Sequence, residues 1–161
     1  GVQDVCSSDL GEQVLPSTVE LFSKRFAPCG FKPEAMMPSY GMAENSVALC
    51  MPPPGRGPLL ADGFYSVGRP VPGHEVRVVE GRVQFRGPSR CREYQSNPRL
   101  TEASIRDGWM ETGDLGFLRD GELYITGRAN DAIVREGRAI APEAVESAVA
   151  KAPEFGRRAW R

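Results

Sequence analysis

The chain has 161 residues, enough for one ordinary domain with a real core. Hydrophobic residues make up 40% and charged residues 25%, and the formal net charge is −1, which points away from disorder and from a basic nucleic-acid binder. There is no run of about 18 apolar residues, so no transmembrane segment is expected, and no basic-then-apolar start marks a secretory signal.

Residues 1–10 show no period and no partner pattern, and read as a segment foreign to the fold. A helix is expected from Pro16, where Ser17 and Glu20 make a capping-box pattern and Val19, Phe22 and Phe26 share one face. Pro28-Cys29-Gly30 ends it. Phe31 to Ser39 reads as a short turn or loop leading to Tyr40-Gly41. Ser46 to Met51 is strand-like, and the prolines from Pro52 to Pro58 stop it. Residues 74–80 and 82–86 alternate on either side of Glu80-Gly81, which predicts a hairpin. A helical stretch follows around Pro98 to Ile105. Beyond it come Gly108-Trp109-Met110, a turn at Thr112-Gly113-Asp114, and a second hairpin across Asp120-Gly121 into Leu123-Tyr124-Ile125. Short paired strands with glycine turns favour a small antiparallel barrel or sheet. Ile133-Val134 reads as a short strand, Glu136-Gly137-Arg138 as a turn, and Pro142 opens a last helix with acids near its positive end.

Four cysteines, Cys6, Cys29, Cys50 and Cys91, are scattered without metal-ligand spacing and read as reduced thiols of a cytoplasmic protein. His74 is the only histidine and reads as a surface turn residue. A multi-histidine zinc site is therefore excluded.

Three constellations can carry chemistry. Tyr40-Gly41-Met42-Ala43-Glu44 puts an aromatic, a glycine and a carboxylate within five residues. The ring can stack on a base, and the carboxylate can hold a hard cation. Thr112-Gly113-Asp114 sets a carboxylate on a glycine bend, suited to the neighbouring hydroxyls of a ribose. Gly127-Arg128 places a guanidinium after a strand, within reach of ribose or phosphate.

Their order and spacing resemble the superfamily of adenylate-forming enzymes, from Gly11 to Ala150. Residues 38–44 look like its Tyr-Gly-x-x-Glu motif. Arg86-Gly87-Pro88-Ser89, with Tyr94 and Asn97-Pro98, looks like its "RGPS…GY…NP" stretch. Residues 108–116 resemble "GW..TGDLG". Residues 121–128, with Asp131, Gly137 and Pro142-Glu143, resemble the motif that crosses into a mobile C-terminal domain. Met42-Ala43-Glu44, with Phe31-Lys32-Pro33-Glu34-Ala35 before it, is most similar to fatty acyl-AMP ligases and long-chain acyl-CoA synthetases.

The resemblance implies an α/β fold: the end of a large α/β subdomain over 11–65, a small antiparallel β-barrel subdomain over 66–126, a hinge at 127–131, and the start of an α+β lid over 132–161. It also implies attack of a fatty carboxylate on the α-phosphorus of ATP with Mg²⁺ as cofactor, then transfer to acyl carrier protein or CoA. Tyr40 would stack on adenine within the segment Tyr40, Gly41, Met42 and Ala43. Glu44 would be the catalytic carboxylate that holds Mg²⁺. Asp114 would accept from the ribose hydroxyls, and Arg128 would contact ribose and phosphate.

Departures from the pattern are Ala43 in place of Thr, Arg82 in place of Glu, Asn130 at the hinge, and a short stretch between Leu49 and Gly68. The 161 residues hold neither the family's phosphate loop nor its late catalytic lysine, so this segment alone is expected to make no acyl-adenylate. The alternatives are an amino-acid adenylation or acyl-CoA synthetase segment, and a non-catalytic nucleotide-binding module.

Overall fold

A computed structural model describes residues 14–129, 133–135, 138–140 and 145 of the chain. Helix α1 spans Pro16–Phe26. Proline suits its first position, where the N–H has no intrahelical partner and φ is already set. The capping box expected at Ser17–Glu20 does not form. The N-cap is Leu15, without a side-chain cap, because Pro16 starts the helix two residues early and Ser17 already lies inside its first turn. Val19 is buried, whereas Phe22 and Phe26 are each 42% exposed. Phe22 packs its ring on Phe26 and Phe31. The helix gives way to a 3-10 turn over Ala27–Cys29, closed by Gly30 at φ 85°.

Strand β1 (Tyr40–Gly41) pairs antiparallel with β2 (Ala48–Met51). After the proline-rich break come β3 (Leu60–Ala61), β4 (Phe64–Tyr65) and β5 (Arg69–Pro70). β3 and β4 pair with each other, and β5 completes a sheet of order β1-β2-β5. The main sheet is built from β6 (Glu75–Val79), β7 (Arg82–Arg86), β8 (Ile105–Arg106), β9 (Trp109–Arg119) and β10 (Glu122–Arg128). Its order is β10-β9-β7-β6, with β8 on β9, and every pairing is antiparallel. The sheet curls as a half-barrel, and the whole is a partial α/β assembly as expected. Helix α2 (Pro98–Ser104) enters after β7, capped by Asn97, whose Oδ1 accepts the Leu100 N–H at 3.1 Å. β11 (Ile133–Arg135) and β12 (Arg138–Ile140) form a further antiparallel pair. Residues 1–10, Asn130, Asp131, Gly137 and the helix expected from Pro142 lie outside the described residues.

The hairpins share one device. Glu80-Gly81 and Asp120-Gly121 turn as expected, and Asp62-Gly63 and Asp107-Gly108 do the same, each pair with both residues at positive φ. That conformation matches the right-handed twist of paired strands. The stretch Thr112-Gly113-Asp114 is not a turn, because it lies inside β9.

Leu49, Cys50, Val67, Val83, Phe85, Met110 and Leu123 form the buried core, which joins the first sheet to the main one. Phe85 is wholly buried, and truncation to Ala would cost about 3–5 kcal/mol. Beside this core lies a buried charge, Glu122. It accepts from Arg56 Nη1 at 2.7 Å, Ser66 Oγ at 2.6 Å and Arg69 Nε at 3.1 Å. Burial by itself pushes this carboxyl up, but the arginines and the serine hydroxyl hold it below the usual carboxylate range. Among the described residues no helix is long and apolar enough to cross a membrane.

Candidate functional site

Asp114 is placed by a deformation of β9. Arg82 of β7 pairs with Leu115, yet Gln84 pairs with Glu111, so β9 carries two more residues than β7 across that step. Gly113 absorbs the excess at φ 81°, a conformation that costs a side-chain-bearing residue about 1 kcal/mol or more. Thr112 Oγ1 closes the bulge, donating to the Val83 carbonyl at 2.9 Å and accepting the Asp114 N–H at 3.0 Å. On the other flank β10 has its own irregularity between Ile125 and Gly127, which brings Arg128 directly opposite Asp114.

The outcome is a meeting of three strands from two sheets on one carboxylate. Arg128 Nε lies 3.2 Å from Asp114 Oδ1. The Tyr40 hydroxyl, from β1, donates to Asp114 Oδ2. Burial first, and then the charge of Asp114, push the Tyr40 phenol well above its ordinary value, so it stays a donor. Asp114 is 7% exposed, while the Arg128 side chain is 62% exposed. A carboxylate has about four lone-pair sites, enough to take hydroxyl hydrogens beside its protein partners. The exposed guanidinium next to it suits a phosphate.

Glu44 stands on the segment that follows Tyr40. An ideal Cβ on Gly41 would lie 1.5 Å from the Val47 carbonyl oxygen, so only glycine lets the two stretches of backbone come this close. Met42, partly buried against the core, leads with extended backbone into a 3-10 turn over Ala43–Asn45. Ala43 is exposed. Asn45, 1% exposed, donates from Nδ2 to the Ala48 carbonyl at 2.9 Å and accepts from Ser89 Oγ at 2.8 Å. Ser89 Oγ also lies 2.7 Å from His74 Nε2. His74, expected as a surface turn residue, closes the turn that begins at Val71, whose carbonyl accepts its N–H at 3.0 Å, and its partly buried ring packs against Gly87.

Tyr94 lies in the motif around Asn97-Pro98, where the sequence alone assigns it no role. Its hydroxyl donates to Glu44 Oε1 at 2.9 Å. Burial and this carboxylate push its phenol up to about 12. The Glu44 carbonyl accepts the Cys91 N–H at 2.7 Å. Tyr40, Asp114 and Arg128 thus form one cluster, and Glu44 with Tyr94 a second. Among the described residues no group of three or more His, Cys, Asp or Glu side chains can hold a metal by itself. A single carboxylate suits Mg²⁺, which keeps several waters and is commonly held through one or two carboxylates plus substrate phosphates.

No family model matches the chain. The chain is 36% identical to a putative acyl-CoA synthetase of Caulobacter vibrioides, over 84% of this chain and 30% of that protein. Among solved structures, it is similar to one from a study of fatty acyl-adenylate ligases from E. coli and L. pneumophila. The TM-score is 0.79 at 26% identity, over 89% of this chain and 32% of that one. It is also similar to O-succinylbenzoate coenzyme A synthetase from Bacillus subtilis, solved with ATP and magnesium ion. There the TM-score is 0.70 at 27% identity, over 88% of this chain and 30% of that one. The chain therefore spans about a third of the length of the proteins it matches.

Proposed function

Because the chain belongs to the adenylate-forming superfamily, we propose that it is a segment of a fatty acyl-AMP ligase and supplies part of the ATP and magnesium site. The observation that carries this reading is the convergence of Tyr40 and Arg128 on Asp114 from separate strands. Each of these residues lies in a motif that resembles the superfamily's nucleotide contacts. In this reading residues 11–65 end the large subdomain, 66–126 form the barrel subdomain, 127–131 are the hinge and 132–161 begin the lid.

The Tyr40 ring takes the adenine face while its hydroxyl steadies Asp114. Asp114 accepts from the two ribose hydroxyls, and Arg128 swings between Asp114 and the phosphate. Glu44 holds Mg²⁺, which when bound neutralises charge on the ATP phosphates. The fatty carboxylate then attacks the α-phosphorus. A bond forms from its oxygen to phosphorus, and the bond to the bridging oxygen breaks, releasing pyrophosphate. Such chemistry is mostly positioning and charge neutralisation, so no histidine base is required. Groups outside these 161 residues supply the remaining cations, and the segment alone makes no acyl-adenylate.

Similarity to an acyl-CoA synthetase and to fatty acyl-adenylate ligases supports an acyl acid as substrate and leaves two acceptors, CoA and acyl carrier protein. The test is acid-dependent ATP–pyrophosphate exchange by the complete protein, with C12 to C16 fatty acids against aromatic acids and amino acids. Exchange with the fatty acids supports the reading. Exchange confined to amino acids, or to no acid at all, overturns it.

A further inference from the structure

The Glu44 side chain is held at one oxygen by a hydroxyl that comes from far along the chain. Tyr94 Oη donates to Glu44 Oε1 at 2.9 Å. Tyr94 is in turn fixed by the start of α2. Its N–H donates to Thr101 Oγ1 at 2.9 Å, and that hydroxyl donates to the Asn97 carbonyl at 3.0 Å. Asn97 is also the cap of α2. A rigid path therefore runs from a helix terminus through a phenol to one carboxylate oxygen, and Oε2 has no partner among the described residues.

We propose that Tyr94 is a positioning residue for Glu44: it occupies Oε1 and orients the carboxylate so that Oε2 meets the cation. This rests on the reading of Glu44 as the magnesium carboxylate. A lone carboxylate on a short turn has several rotamers, and a cation that keeps most of its waters does little to select one. A neutral donor can fix the rotamer without adding a charge that would compete with the metal. Partners of this kind, which orient a ligand without touching the metal, typically change metal affinity by about 10–100-fold when removed.

The test is Mn²⁺ binding to the complete protein with the β,γ-imido analogue of ATP, read from the EPR signal of the unbound ion. Three proteins are compared: the natural one, Tyr94→Phe and Glu44→Gln. The expected result is loss of tight Mn²⁺ binding in Glu44→Gln and roughly tenfold weaker binding in Tyr94→Phe. Metal-free AMP binding and the melting temperature of Tyr94→Phe stay near the natural values. Thr101→Val, which loosens Tyr94 without touching Glu44, shifts Mn²⁺ affinity the same way by a smaller factor. Natural Mn²⁺ affinity in Tyr94→Phe, with binding lost in Glu44→Gln, overturns the inference alone. Equal weakening of metal-free AMP also overturns it, since that marks a general structural role. Natural affinity in Glu44→Gln overturns the reading of Glu44, and the inference with it.

Discussion

Arg128 faces Asp114 across the β9–β10 pair, with Nε 3.2 Å from Oδ1, while the other carboxylate oxygen takes the Tyr40 hydroxyl. Two neighbours of opposite character therefore preset one acidic side chain. The tyrosine is largely enclosed and stays protonated, and the arginine is exposed enough to exchange partners.

Tyr40→Phe separates the two uses of this residue. The ring remains, and only the donor to Asp114 is lost. A hydrogen bond to a charged group is worth about 1.5–3 kcal/mol, so AMP affinity of the complete protein should fall by roughly 10–100-fold. Tyr40→Ala should fall further. Calorimetric titration checks both, and equal losses would show that the hydroxyl, not the ring, carries the contact.

Gly41→Ala should disrupt the turn that presents Glu44, because its Cβ would lie 1.5 Å from the Val47 oxygen and the obstacle is backbone. The expected signs are a lower melting temperature and a loss of tight Mn²⁺ binding with the ATP analogue. Ala43→Gly, two residues along and exposed, should do far less.

Glu122 gives the fold a pH dependence of known sign. Its carboxyl is held below the usual range in the folded chain. It therefore contributes stability above its unfolded value, near 4.3, and loses it as pH falls through the folded value. Glu122→Gln removes the buried charge that Arg56 and Arg69 pair with and should cost about 3 kcal/mol at pH 7. Thermal denaturation should show the gap between the two proteins narrowing below about pH 4. A gap that stays constant down to pH 3 would contradict this account.

The cysteines should divide by environment. Cys29 is exposed, whereas Cys50 is buried, and burial, with the charge of Glu122 second, pushes its thiol up to about 12. Iodoacetamide at pH 8 should alkylate Cys29 and spare Cys50 until denaturant is added, as peptide mass spectrometry would show. Rapid labelling of Cys50 in the folded protein would contradict the packing of this core.

The hairpin at Glu80-Gly81 was legible because alternating residues flank its turn, and that at Asp120-Gly121 because an acid-glycine pair leads into the apolar run Leu123-Tyr124-Ile125. Those at Asp62-Gly63 and Asp107-Gly108 were not, since strands of two residues carry no period. Thr112-Gly113-Asp114 looked like a turn for a local reason, the glycine beside an acid. Pairing with β7 on one side and β10 on the other keeps the strand going and converts the bend into a bulge. Ser17–Glu20 matched a capping box, but Pro16 took the first helical position and moved the cap to Leu15. The site shows the same divide. Residues Tyr40, Asp114 and Arg128 were named from motifs, yet nothing local could show that Tyr40 meets Asp114, 74 residues away, or that Tyr94 meets Glu44, 50 residues away. Such pairs are set by how the two sheets close on one core, which no window of sequence contains.

In the proposed adenylate site, Asp114, steadied by Tyr40 and Arg128, is the ribose carboxylate. Titration calorimetry of AMP into the complete protein, with either Asp114 or Asp114→Ala, tests it most directly. Loss of the charge-assisted bonds to the ribose hydroxyls predicts an affinity weaker by roughly 10–100-fold, with the fold intact by melting temperature. Equal AMP affinity in the two proteins would rule out this role for Asp114.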